Sequence, residues 1–329
     1  MAGRTIFDAV RELSLLVPKR LFFAQNREVL LGEELARQGL EEVIDFFDRN
    51  VQMRKLAYVL VVKGKIEEVI DVPNPHEVCP ALRIEAIIRQ QQQSSHFPLV
   101  KLGDFLGFLA TEGQEAYCAV VRVKKNPTQV LRPRKPFNPA PEPYLEIKVT
   151  GTALFRKDKL VGYLNEHETR GLLWARGEVQ GGHLNLPCPA GKGKPVSLNI
   201  LRSEARMIPE ITDDGRLRVT VEIREEADLA ETGCPFDLRE PGVVKKLEVL
   251  QAEAIEREVM SAVRRAQEYK SDVFGFGAAF HRRYPQEWRE IRNLWAEEFF
   301  PLVEVKVVVD AKIRRIGLRL KPLVGEELR

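Results

Sequence analysis

The chain has 329 residues, 44% hydrophobic and 30% charged, which is the balance of a water-soluble globular protein and excludes both a disordered chain and one dominated by membrane spans. With 51 basic and 48 acidic residues interspersed along it, the net charge of +3 gives no reason to expect a nucleic acid partner. The one basic cluster, Arg132, Arg134 and Lys135, sits among prolines without aromatic neighbours and reads as solvated linker.

Thr5 is placed to cap a helix whose apolar positions Ile6, Ala9, Val10 and Leu13 keep the helical period until Pro18. RLFFA and EVLLG then read as short strands. EELARQGLEEVIDFFDRN follows as an amphipathic helical stretch, interrupted at Gly39. LAYVLVVKG is apolar enough for a strand buried on both faces. After a turn at VPNPHEVCP, Pro80 starts a helix, and a second helix, LGDFLGFLA, leads into a strand, YCAVVRVKK.

Residues 124–143 are proline-rich and aperiodic, so they predict an extended linker between an N-terminal region, 1–123, and a C-terminal domain, 144–329. Within the first region a break is expected near 64–75, separating an incomplete first domain from a small α/β subdomain.

Past the linker, YLEIKVTGTALF and KLVGYL pair as strands around the turn RKDK, and Asn165 with Glu168 three residues on predicts a capped helix. Two strands, VSLNILR and RLRVTVEIR, precede one long helix from Val243 to Tyr269, with Leu247, Leu250, Ala254, Val259 and Val263 near one face. Two shorter helical pieces end in a strand where Val303, Val305, Val307 and Val309 alternate toward a core. Strands separated by helices predict an α+β, multi-domain chain: mixed or antiparallel sheets flanked by helices, with a large C-terminal domain carrying a long helix on a sheet.

Motifs for chemistry are lacking. His76, His96, His167, His183 and His281 are scattered, and Cys79, Cys118, Cys188 and Cys234 form no CxxC pair, so no metal site is expected and the cysteines read as free or buried thiols, with a disulfide between two of them left open. PAGKGKP lacks the phosphate-loop spacing and reads as a hairpin loop; no GxSxG elbow exists. The carboxylate pairs Glu33/Glu34 and Asp213/Asp214 have no histidine beside them. No catalytic residue and no cofactor is assigned. Trp288 and Trp295, a heptad apart, are core anchors if buried and a binding groove if exposed.

Three runs carry a resemblance. They are GRTIFDAV with LLGEELARQGLEEVIDFFDRNVQMR, then GTALFRKDKLVGYLNEHETRGLLW, then YKSDVFGFGAAFHRRYPQEWREIRNLW with the terminal strand. In order and spacing these resemble the GerAC-like family, the C-subunit lipoproteins of bacterial spore germinant receptors. The resemblance implies three α+β domains and a non-enzymatic role through protein contacts. The implied partners are two integral-membrane receptor subunits, A and B, and the implied location is the outer face of the spore inner membrane.

The residues it singles out as signature or interaction positions are Arg49, Arg54, Gly151, Asp158, Gly162, Glu168, Thr169, Gly171, Asp272, Trp288 and Trp295. Gly151 and Gly162 suit bulge or close-approach positions, Asp158 a turn, and Glu168 with Thr169 polar ties at a helix start. Family members begin with a signal peptide, a lipid-accepting cysteine and a tryptophan-containing segment. None of these is in this sequence, so the resemblance implies a start inside the first domain and an anchor missing from the chain. By itself MAGRTIFDAVREL lacks a secretory leader and would read as cytosolic; the resemblance overrules that. Two further expectations are a module that itself binds a small nutrient, and a peptidoglycan hydrolase, which requires a carboxylate pair or a metal in one cleft.

Overall fold

A computed structural model describes residues 4–18, 22–50, 52–72, 79–91, 94–130, 143–189, 191, 194–240 and 242–317. His76 and the basic cluster Arg132, Arg134 and Lys135 lie outside the described residues. The chain divides into two compact units, the first of residues 1–89, 99–110 and 116–163, the second of 90–98, 111–115 and 164–329.

The first unit is built on a five-stranded sheet in the order β1-β2-β3-β4-β5. β1 (Glu28–Gly32), β2 (Tyr58–Val62) and β3 (Tyr117–Val130) run parallel, and β4 (Pro143–Arg156) pairs antiparallel to β3. A two-residue turn at Lys157 and Asp158 leads to β5 (Lys159–Leu164). β2 lies between two parallel neighbours and buries Val59, Leu60, Val61 and Val62, which accounts for its unbroken apolar run. Thr5 Oγ1 accepts the Asp8 N–H at 3.1 Å and caps α1 (Ile6–Leu16). The glycine interruption ends α2 (Glu33–Gln38) at Gly39, before α3 (Glu41–Arg49). α4 (Ile66–Ile70), α5 (Pro80–Arg89) and α6 (Leu102–Ala110) complete the unit.

Three expectations change here. Phe23 and Ala24, expected in a strand, fall in a short 3-10 turn, Phe23–Gln25. The expected linker is strand at both ends: Lys124, Lys125 and Asn126 pair with Glu146, Leu145 and Tyr144, because sheet pairing satisfies backbone groups that an isolated spacer leaves to water. The residues on either side of 64–75 belong to one sheet.

The second unit is a four-stranded sheet, β6-β7-β8-β9, with helices against it. β6 (Gly182–Leu186), β7 (Val196–Ile211) and β8 (Leu217–Thr232) are antiparallel, and β9 (Glu304–Arg315) joins β8 in parallel. GHLNL forms β6, and the loop expected at PAGKGKP lies partly outside the described residues. α7 (Glu166–Arg176) and the 26-residue α8 (Val243–Glu268) pack together, and α8 also covers β9. The buried stripe of α8 runs through Leu247, Gln251, Ile255, Val259 and Val263, so Ile255 takes the place expected for Ala254. α9 (Phe276–Arg283) and α10 (Pro285–Ile291) follow, and the next residues turn through a 3-10 and a π segment rather than one helix.

Two of the four cysteines are not free. Cys188 and Cys234 form a disulfide with Cα atoms 5.5 Å apart. The register explains the meeting: Leu186 and Thr232 both align with Val196 on β7, and each cysteine lies two residues beyond its strand's partner. Cys118 is buried and Cys79 exposed. Closing a loop with a sequence separation of 46 residues restricts the unfolded chain by about 4 kcal/mol in the chain-entropy model. Replacing both cysteines by alanine is therefore expected to lower unfolding free energy by ~2–4 kcal/mol, measured by denaturant titration, and added reductant should reproduce the loss in the unaltered chain.

Candidate functional site

The helix start predicted at Asn165 forms a full capping box. Asn165 Oδ1 accepts the Glu168 N–H at 3.0 Å, and Glu168 Oε2 accepts the Asn165 N–H at 2.9 Å. Its other oxygen, Oε1, accepts from Arg265 Nε on α8 at 3.3 Å. Thr169 is fully buried beside it.

One turn on, Gly171 faces the backbone of α8. A Cβ placed on it would lie 2.1 Å from the Glu258 carbonyl oxygen, so only glycine allows the two helices to approach this closely. The same approach brings the Glu258 carboxylate against α7. Glu258 accepts from Arg170 Nε at 2.8 Å and from Arg170 Nη2, and from the Trp174 indole at 3.0 Å. Arg170 Nη1 donates to the His183 carbonyl of β6 at 2.6 Å. The two charged side chains are 7% and 11% exposed, so each depends on the other for compensation.

A second buried node forms around Asp272. Its carboxylate accepts the N–H groups of Gly275, Phe276 and Gly277 at 2.8–3.1 Å, at the start of α9, and the Trp295 indole at 3.0 Å. Burial pushes the Asp272 carboxyl up to about 6, against the four donors that pull it down. Trp288 and Trp295 are both buried, with ring centroids 5.2 Å apart, so they anchor the interior and present no exposed groove. The Trp288 indole nitrogen has no acceptor among the described residues.

In the first unit Gly151 has φ 87° and lies in a bulge, since Thr150 and Gly151 together oppose the single residue Val120. Gly162 occupies a buried place inside β5, where the backbone is regular strand. Asp158 does more than turn the chain: its carboxylate and carbonyl both accept the Leu40 N–H, at 3.0 and 3.1 Å, where α3 begins. Arg49 is 80% exposed and pairs with Asp45, and Arg54 is exposed in the following turn. Arg49 also borders a cleft of 1390 Å³ between α1 and α3, lined by Phe7, Val10, Phe23 and Phe46 among others.

Sequence reasoning therefore grouped residues that the structure separates. Glu168 and Gly171 act together on the α7–α8 contact with Thr169 buried between them in sequence, Asp272 and Trp295 on a second node, and Gly151 and Asp158 shape the first sheet. It missed Arg170, Glu258 and Arg265, although Arg170 lies inside the quoted run and the two α8 charges look like any solvated helix face. Among the described residues no cluster of three or more histidine, cysteine or acidic side chains is placed to hold a metal ion. No helix among them is long and apolar enough to cross a membrane.

Two family models match the chain: "Spore germination B3/ GerAC like, C-terminal" over residues 150–317 and "Spore germination protein N-terminal domain" over residues 1–123. Relatives include spore germination protein KC of Bacillus subtilis, 27% identical across 98% of this chain and 79% of the relative. Spore germination protein B3 of the same organism is 24% identical across 96% and 79%. The crystal structure of the GerBC protein aligns with a TM-score of 0.66 at 21% identity, over 92% of this chain and 83% of that one, which establishes a shared fold.

Substituting Gly171→Ala is expected to force α7 off α8 and cost ~2–3 kcal/mol in unfolding free energy. Asp272→Asn, which points an N–H₂ group among N–H donors, is expected to cost ~2 kcal/mol or more. Denaturant titration at neutral pH checks both.

Proposed function

The chain belongs to the GerAC-like family of spore germination proteins, the C subunits of germinant receptors, and on that premise we propose that it serves the nutrient response as a non-enzymatic lipoprotein subunit acting through protein contacts. Its proposed partners are the two integral-membrane subunits of the receptor, at the outer face of the spore inner membrane. A diacylglyceryl anchor would hold it there, since two acyl chains suffice for stable attachment.

The observation that carries the reading is where the signature's polar groups go. Glu168 and Asp272 are buried and used inside the fold, as a helix cap and as an acceptor for buried N–H groups. Of the singled-out residues, Arg49 and Arg54 are exposed, and these two are the proposed contact positions. A second reading, a module that itself binds a nutrient, is favoured by the α1–α3 cleft bordered by Arg49.

The test is a double substitution, Arg49→Ala with Arg54→Ala. Surface changes of this kind should leave unfolding free energy within about 0.5 kcal/mol, while crosslinking to the membrane subunits in spores and the nutrient response both fall. Unchanged crosslinking would remove these residues from the interface, and crosslinks to no receptor subunit in the unaltered protein would remove the reading itself. Saturable binding of a nutrient germinant to the chain in calorimetry would favour the second reading.

A further inference from the structure

The interface between α8 and the second sheet contains one polar contact in an otherwise apolar stripe. Glu225 of β8 and Gln251 of α8 are both buried, at 1% and 0% exposure, and Gln251 Nε2 donates to Glu225 Oε2. The remaining oxygens of the pair, Glu225 Oε1 and Gln251 Oε1, have no partner among the described residues. Two acceptor oxygens facing one buried pair call for a shared proton. A carboxylate and an amide make one hydrogen bond, whereas a carboxylic acid and an amide make two.

We propose that α8 is seated on this sheet by a proton-dependent lock, in which Glu225 is held as the neutral acid and closes a two-bond ring with the Gln251 amide. The acid O–H at Oε1 donates to Gln251 Oε1, and Gln251 Nε2 donates to Glu225 Oε2. Both orphaned atoms are then satisfied and no charge is buried.

The surroundings favour the neutral acid from each side. On β7, Ser203 lies directly opposite Glu225 and Ala205 follows on the same face; on β9 the partner is Ala311, flanked by Val309 and Ile313. None of these positions carries a cation. One turn before Gln251 on α8 stands Glu248, another acid, occupied by Lys245, Lys312 and the Ile313 N–H. On the strand itself Glu226 adds negative charge, with Arg202 and Arg314 paired to it at 2.7 and 2.6 Å. The buried charged groups of α7, Glu168 and Arg170, are bound to Arg265 and Glu258. Burial first, then Glu226, pushes the Glu225 carboxyl up to about 8, the Gln251 bond alone opposing them.

A pKa raised on folding gives stability that is fully present below the unfolded value and is lost as pH rises through the folded one. For Glu225 that window runs from about 4.5 to about 8. One proton changes the folding constant by up to about tenfold per pH unit inside it.

The experiment compares unaltered chain with Glu225→Gln by denaturant titration from pH 5 to pH 9, with hydrogen exchange of α8 amides at each pH. Expected is a folding constant for the unaltered chain that falls relative to the variant as pH rises, with faster exchange in α8, because the variant carries no titrating proton. Should the glutamine variant fail to fold, Glu225→Leu, of similar size and equally without a proton, takes its place. Infrared spectroscopy of the unaltered chain at pH 7 gives an independent reading: a protonated-carboxyl band that fades toward pH 9 is expected. Parallel pH profiles for chain and variant, or no such band at pH 7, would overturn the proposal.

Discussion

The second unit depends on the contact of α7 with α8 at Gly171. Hydrophobic burial supplies most of the attraction, since Leu247, Ile255, Val259 and Val263 each gain about 1.5–3 kcal/mol on leaving water. Burial is indifferent to a shift of one helix along the other, however, and the polar groups are not. The missing Cβ of Gly171 fits only over the Glu258 carbonyl, and in that position the Glu258 carboxylate meets both Arg170 and Trp174. Moving α7 by one residue would leave a buried guanidinium and a buried carboxylate uncompensated. The glycine admits the helix, and the ion pair selects its register.

Periodicity made the elements readable where one face met a core. β2 was legible as a doubly buried strand, the α7 cap as a helix start, and the glycine break between α2 and α3 as an interruption, because each rests on residues adjacent in the chain. What was not legible depends on residues far apart. The Cys188–Cys234 pairing follows from the alignment of β6 and β8 across β7, and no local pattern encodes it. The ends of β3 and β4 looked like spacer because proline and charge dominate there, yet cross-strand pairing outweighed local composition.

The same limit applies to the polar residues that matter most. Gln251 and Glu258 look from sequence like breaks in the apolar stripe of α8, or like its wet side. Their roles come from what lies opposite, Glu225 on β8 and Arg170 on α7. The capping role of Glu168 is legible from its spacing to Asn165, whereas Asp272 stands in the sequence as a signature position without a physical role, and its work as an N–H acceptor emerges only with the backbone in place.

Two buried carboxyls in this unit show how donor count decides charge. Asp272 receives three backbone N–H groups and an indole N–H, and these compensate ionisation well enough to hold it near 6, below neutral pH. Glu225 receives a single amide and faces no cation, so the cost of burial prevails and its carboxyl rises to about 8. At neutral pH the first is an anion fixing the start of α9, and the second an acid shared with α8. The difference lies in local backbone: Asp272 sits at a helix N-terminus, where unpaired N–H groups converge, whereas the N–H groups around Glu225 are engaged in strand pairing with β7 and β9. A glutamate within a covered sheet has only side chains to turn to, and the amide of Gln251 supplies both a donor and an acceptor, which suits the acid better than the anion.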